Sequence, residues 1–226
     1  MNTVMENSSI VIIAKDFNPS IFKSLWLVKN NIFREDELEG NIVITPPAVQ
    51  IPSTNFQFMV LPDRIQITIP RKYPDVQSDI IRILGGIVTT LPHTPYTAVG
   101  LNFHFLVAPE SEDSFGKWEK TLFASPIYNK FPEAEDHKAR FGSYISFDTL
   151  ESRLKIDIKP TNAGNKVELL CKTWRSGQEL TRIHFNFHTD VANMATPSES
   201  VLEKLNKWTE ALTLSQELRD KIINVE

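Results

Sequence analysis

A single cysteine, Cys171, stands in 226 residues, so no intramolecular disulfide can close and no thiolate cage for a metal can be assembled. Within the strand-like stretch "KVELLCKTW" it reads as a small buried apolar side chain, and no neighbouring base is present to lower its pKa into a nucleophile's range. Cations are not in excess: 24 Lys and Arg against 28 Asp and Glu leave a formal charge of −4, with the basic residues scattered singly. A broad nucleic-acid-binding surface needs the opposite imbalance. The N-terminal apolar run "IVIIA" is too short for a membrane span or a signal peptide and has no basic leader. A cytoplasmic protein without membrane or nucleic-acid contacts is expected.

Glycine is sparse, at 8 residues, and none is arranged as a phosphate loop of the Walker or dinucleotide type; Gly85-Gly86 lies inside a helical pattern. A nucleophile elbow, a His-Glu-x-x-His helix and a calcium loop are missing too. These absences give no cofactor and no metal as the expectation. With 41% hydrophobic and 23% charged residues, the chain has the make-up of a globular protein able to bury a core, and disorder is not expected over most of it.

Local patterns supply the elements. "SSIVIIA" (8–14) reads as a buried strand, and "NPSIFKSLWLVKN" as a short helix with Asn18 as N-cap and Pro19 at its first position. "NIVITPPAVQ", "NFQFMVL" and "RIQITIP" read as strands, the last two joined by a turn at Pro62-Asp63. From Pro74 to Leu91, Ile80, Ile83, Leu84 and Ile87 recur at helical spacing. "YTAVGLNFHFLVAP" is a strand, "SEDSFGKWEKTLFA" an amphipathic helix and residues 126–138 a surface loop. Four strands follow: "RFGSYISFD", "SRLKIDIKP", "KVELLCKTW" and "ELTRIHFNFHTD". A terminal helix opens at "TPSE", where Thr196 caps and Glu199 can complete a capping box.

The resulting order, strand-helix-strands-helix, occurs twice, over 8–91 and 96–222, and suggests a tandem duplication. Short turn-rich connections favour antiparallel pairing, and strands with one apolar face call for helices on that face alone. The expected fold is α+β: a mainly antiparallel, curved sheet of about eight to nine strands with helices on one face, the whole of 1–226 forming one unit without a flexible linker.

Chemistry is thinner. In "RIHFNFHTD" the polar members His184, Asn186 and His188 alternate with Ile183, Phe185 and Phe187. Histidines four apart on a strand have Cα atoms roughly 13 Å apart, too far to share a metal ion. "LNFHF" carries Asn102 and His104 in the same alternation. If the two strands pair, all five polar side chains share the helix-free face as a binding row. Asp148, Glu151 and Asp157 are carboxylates whose separation sequence cannot give; Lys155, Asp157 and Lys159 form an alternating charge row. Trp26, Trp118 and Trp208 fall on apolar helix stripes, whereas Trp174 precedes the turn "RSG", where an exposed indole could anchor a partner.

Taken together, "LPDRIQITIPRKYPDVQSDIIRIL", "TPYTAVGLNFHF", "LKIDIK" and "LTRIHFNFH" before a final helix resemble a sporadically distributed family of uncharacterised bacterial α+β proteins. The resemblance implies a compact α+β protein of bacterial or phage origin and lends no functional residue.

Two functions follow as expectations. One is a non-enzymatic binding or protein-interaction module that uses the helix-free sheet face or an edge strand to hold a protein partner or a second copy. The alternative is an enzyme or small-molecule carrier using the polar row, with His104 or His184 as acid–base and Asn102 or Asn186 orienting the substrate. The enzyme requires the two histidines close together in a concave pocket, and the carrier a pocket of at least about 300 Å³.

Overall fold

A computed structural model describes residues 1–38, 43–45, 48–53, 55–70, 76–108, 118, 121–122, 142–161 and 180–224. Alternation of apolar and polar residues makes strands of β1 (Asn2–Ala14), β2 (Val43–Thr45), β3 (Ala48–Pro52), β4 (Gln57–Val60) and β5 (Arg64–Pro70). The same pattern forms β6 (Tyr96–Ala108), β7 (Ser143–Thr149), β8 (Ser152–Thr161) and β9 (Leu180–Asp190). They form one antiparallel sheet in the order β2-β3-β4-β5-β1-β6-β9-β8-β7. Each strand group folds back so that its last member, β5 or β9, pairs with its first, β1 or β6, and the groups meet where β1 pairs with β6. The β1–β6 register shifts between Met5 and Asn7, where Glu6 is the extra residue on β1, and between Ile13 and Ala14, where Thr97 is the extra residue on β6; such bulges bend a strand and increase local twist. The sheet is curved and not closed.

The helices lie on one face, as expected. They are α1 (Ser24–Lys29), α2 (Val76–Ile80), α3 (Gly86–Thr90), α4 (Pro197–Asn206) and α5 (Trp208–Ile223). Beneath them are Ile10, Ile12, Phe58, Ile67, Phe103, Phe105, Ile156, Phe185 and Phe187, all buried. Phe103 meets Trp208 at 4.6 Å and Phe187 edge-on at 6.1 Å between ring centroids. The Arg219 guanidinium lies 5.0 Å from the Phe105 ring centre. Each such aromatic contributes about 1.5–3 kcal/mol by leaving water, so this layer holds the centre of the sheet together. Arg82 ties the region after α1 to the helical layer, donating to Ile32 O at 2.7 Å and pairing with Glu37 and Asp79 at 2.7 and 2.8 Å.

Several local expectations change. The first strand begins at Asn2 rather than residue 8. Asn18 caps only a short 3-10 turn, Pro19–Ile21, accepting from Ser20 N at 3.1 Å; α1 starts later, at Ser24. "NIVITPPAVQ" is two strands, β2 and β3, paired with each other, because Pro46 and Pro47 cannot continue a ladder. Between α2 and α3 the helix widens into a π segment, Ile81–Gly85; Gly86 follows it and backs onto Ile32, 3.4 Å from where a Cβ would stand. Thr196 precedes α4, but its side chain makes no cap; its carbonyl instead accepts from Ser200 N and Oγ. The terminal helix is broken at Lys207 into α4 and α5.

The β7–β8 turn is unusual. Thr149 pairs with Ser152, leaving a two-residue loop, Leu150-Glu151, with φ of 48° and 51°. Both signs are those of a type I′ turn, which prefers Asn and Gly. Buried Lys204 on α4 holds it, donating to Leu150 O at 3.2 Å and pairing with Glu151 at 2.9 Å; this contact holds the Glu151 carboxyl below its usual range. Trp26 packs against the core, and Trp118 and Trp208 are buried, with Trp118 Nε1 donating to Ile222 O at 3.0 Å. Cys171, Trp174, the strand expected around them and the loop 126–138 lie outside the described residues.

Candidate functional site

The two strands that share a polar pattern are neighbours. Antiparallel β6 and β9 place His104 opposite His184, Asn102 opposite Asn186 and Gly100 opposite His188. One residue of slip would bury this set and expose the phenylalanines, so the hydrophobic face enforces the register. The imidazoles of His104 and His184 stack with centroids 4.1 Å apart and planes 7° from parallel.

Hydrogen bonds link the rest. Asn102 Oδ1 accepts from Asn186 Nδ2 at 2.5 Å and from His184 Nε2 at 3.2 Å, which assigns the Nε2–H tautomer to His184 because an amide oxygen only accepts. Asn102 Nδ2 reaches back to Ser9 O at 3.4 Å on β1. Asn102 and Ser9 are each 7% exposed, so the middle of the face is recessed although it is polar. Gly100 contributes to the recess: a Cβ there would stand 3.6 Å from Asn186 Nδ2.

Burial, followed by the neighbouring His184, Arg182 and Lys159, pushes the His104 pKa down to about 4. Burial also lowers His184, with Asp157 opposing, and lowers His188, with Lys155 adding to the effect. Neutral rings can stack at 4.1 Å where two imidazolium ions would repel. The pair therefore forms a flat, uncharged patch flanked by Asp157 and Arg182; Arg182 is itself paired with Glu6 at 3.1 Å.

Beyond β6 and β9 the register extends the polar face in rows. One row runs Gln57, Thr68, Ser9, Asn102, Asn186 across β4, β5, β1, β6 and β9, then reaches Lys155. A second runs Val43, Gln50, Met59, Gln66, Val11, Gly100, His188, then Arg153 and Asp148. From β2 to β9 neither row holds a carboxylate, a lysine or an arginine. Sequence reading missed Ser9 and the three glutamines. Only the register reveals them, because the glutamines sit on three separate short strands and Ser9 in a stretch that looks buried throughout.

Two cavities border this face. One of about 350 Å³ is lined by Gln50, Gln57, Met59, Gln66 and Thr68. The other, of about 540 Å³, lies at the β7–β8 end and is lined by Asp148, Glu151, Arg153, His188 and Asp190. His104 and His184 line neither. The carboxylates of the second already have partners: Asp148 pairs with Arg153 at 3.1 Å, Glu151 with Lys204, and Asp190 accepts from Ala192 N. Asp157 pairs with Lys159 at 2.6 Å. No group of three or more His, Cys, Asp or Glu among the described residues could hold a metal ion. No described helix is long and apolar enough to cross a membrane. The chain matches no protein-family model, no curated protein and no solved structure.

Proposed function

We propose that the protein is a non-enzymatic binding module whose recognition surface is the helix-free face of the sheet. The observation that carries this reading is the register that lines up uncharged hydrogen-bonding side chains, Gln57, Thr68, Ser9, Asn102 and Asn186, over five consecutive strands. The helices among the described residues crowd the opposite side of the same strands. A preformed polar surface on a rigid sheet costs little to order when a partner arrives. The histidines support binding over proton transfer: a general acid or base works best with a pKa near the working pH, and His104 is held near 4. A lone cysteine fits a protein of the bacterial or phage cytoplasm.

One observation favours the small-molecule carrier as a second reading. His188 lines the 540 Å³ cavity, which is large enough for a ligand of that kind.

Site-specific photocrosslinking in the host cell tests the main reading. A photoreactive residue at Val11 or Gln66 should yield discrete adducts absent when it is placed at Glu203, on the helical side. The same adducts from all three positions, or none from the sheet face, would remove the proposal.

A further inference from the structure

The helix-free face is not uniform, and its β2–β5 end has the more specific chemistry. There Gln50, Met59 and Gln66 lie side by side on β3, β4 and β5, and Gln57 and Thr68 lie beside them in the neighbouring row. Together they line the 350 Å³ cavity, which has no ionisable side chain among its described lining residues. Gln66 Nε2 donates to Thr68 Oγ1 at 3.0 Å, leaving its amide oxygen open. The side chains of Gln50 and Gln57 make no hydrogen bond to another described residue.

Resting on the reading of this face as a recognition surface, we infer that this cavity holds a short extended segment of uncharged polypeptide, laid across the strands and gripped through its backbone. A primary amide offers one carbonyl acceptor beside N–H donors, the same pair that a peptide group presents, so each glutamine can bond a backbone amide whatever its side chain. Gln50 and Gln66 stand two strands apart, about 9.6 Å, close to the about 10 Å that three extended residues span. Met59 lies between them as an adaptable apolar floor for one side chain of the segment. The uncharged side chains that the described residues present to the cavity select against charged segments, because their ions would lose water without gaining a partner there.

The test is a fluorescence-anisotropy panel of unrelated decapeptides, half uncharged and half charged, with maltose and cellobiose as neutral non-peptide probes. Uncharged peptides should bind, with affinity unchanged between 0.05 and 0.5 M salt. The double variant Gln50→Ala/Gln57→Ala should weaken them at least tenfold while its circular dichroism spectrum stays the same, and Gln57→Glu should weaken them further. Binding only by charged peptides, binding only by the sugars, no binding at all, or equal binding by the double variant would each overturn the inference. Photocrosslinks from Val11 together with a silent peptide panel would leave the wider face a recognition surface and reject the peptide.

Discussion

Phe103 and Asn102 are adjacent in the chain, belong to the same strand and face two different solvents. On the Phe103 side, β6 and β9 are held by aromatic rings packed under α4 and α5; on the Asn102 side, the same strands are joined by shared hydrogen bonds and a stacked imidazole pair. The first kind of cohesion scales with area and tolerates neither cavities nor charge. The second depends on donors and acceptors finding each other, and contributes less stability than shape.

Substitutions should separate the two sides. Phe103→Ala removes a fully buried ring and leaves a cavity, and chemical denaturation should show a loss of about 3–5 kcal/mol. Asn102→Ala deprives His184 and Asn186 of their shared acceptor, and the same measurement should show about 1–3 kcal/mol. A smaller cost on the Phe103 side than on the Asn102 side would reverse the comparison.

Between about pH 6.5 and 4, acid should act on the polar side through its histidines. His104 binds its proton less readily folded, near pH 4, than unfolded, near pH 6.5. Between those values the unfolded chain holds more protons, so stability present above about pH 6.5 declines as pH falls and the decline levels off near pH 4. His184 adds in the same direction. The groups around the pair are Asn7 from β1, Arg182 from β9, and Asp157 and Lys159 from β8. Allowing for solvent screening, the loss is on the order of 1–2 kcal/mol. His104→Gln should flatten this part of the stability–pH curve; an unchanged slope would show that the pair does not carry it.

The smallest effect tests the β7–β8 turn. Glu151→Gly relieves a left-handed residue at the cost of the Lys204 contact, and thermal denaturation should show a small rise in Tm. A clear loss instead would make the ion pair, rather than the backbone, the dominant contribution at the turn.

Alternation made much of this legible. Strands, helical face and the shared polar pattern of Asn102, His104, His184, Asn186 and His188 could all be read from period-two spacing, since each position's face follows from its parity. The pairing of "LNFHF" with "RIHFNFH" was legible as a condition to check, because the topology that makes them neighbours is not local information. What stayed hidden depends on long-range register or on competing local bonds. Gln50, Gln57 and Gln66 are ordinary surface residues until three strands bring them together. Lys204 looks like a solvated helix lysine until the turn at Leu150 and Glu151 closes over it. Thr196 has the residue type of a cap, but its side chain makes no cap bond.

The seam between β1 and β6 also bears on how the chain reaches this shape. Asn2 pairs with Ala108, so the middle of the sheet closes loops of roughly a hundred residues, whereas the β3–β4 and β7–β8 hairpins form locally. Long-range closure must be met before its contacts stabilise anything, which places a sheet of this kind among slow folders, on the order of milliseconds to seconds. During synthesis at about 5–20 residues per second, "SIVIIA" in β1 waits several seconds for β5, its earlier partner, and longer for β6. β1 is thus the described strand longest without a neighbour, and the ribosome-bound chain is the stage at which its apolar run most needs shielding.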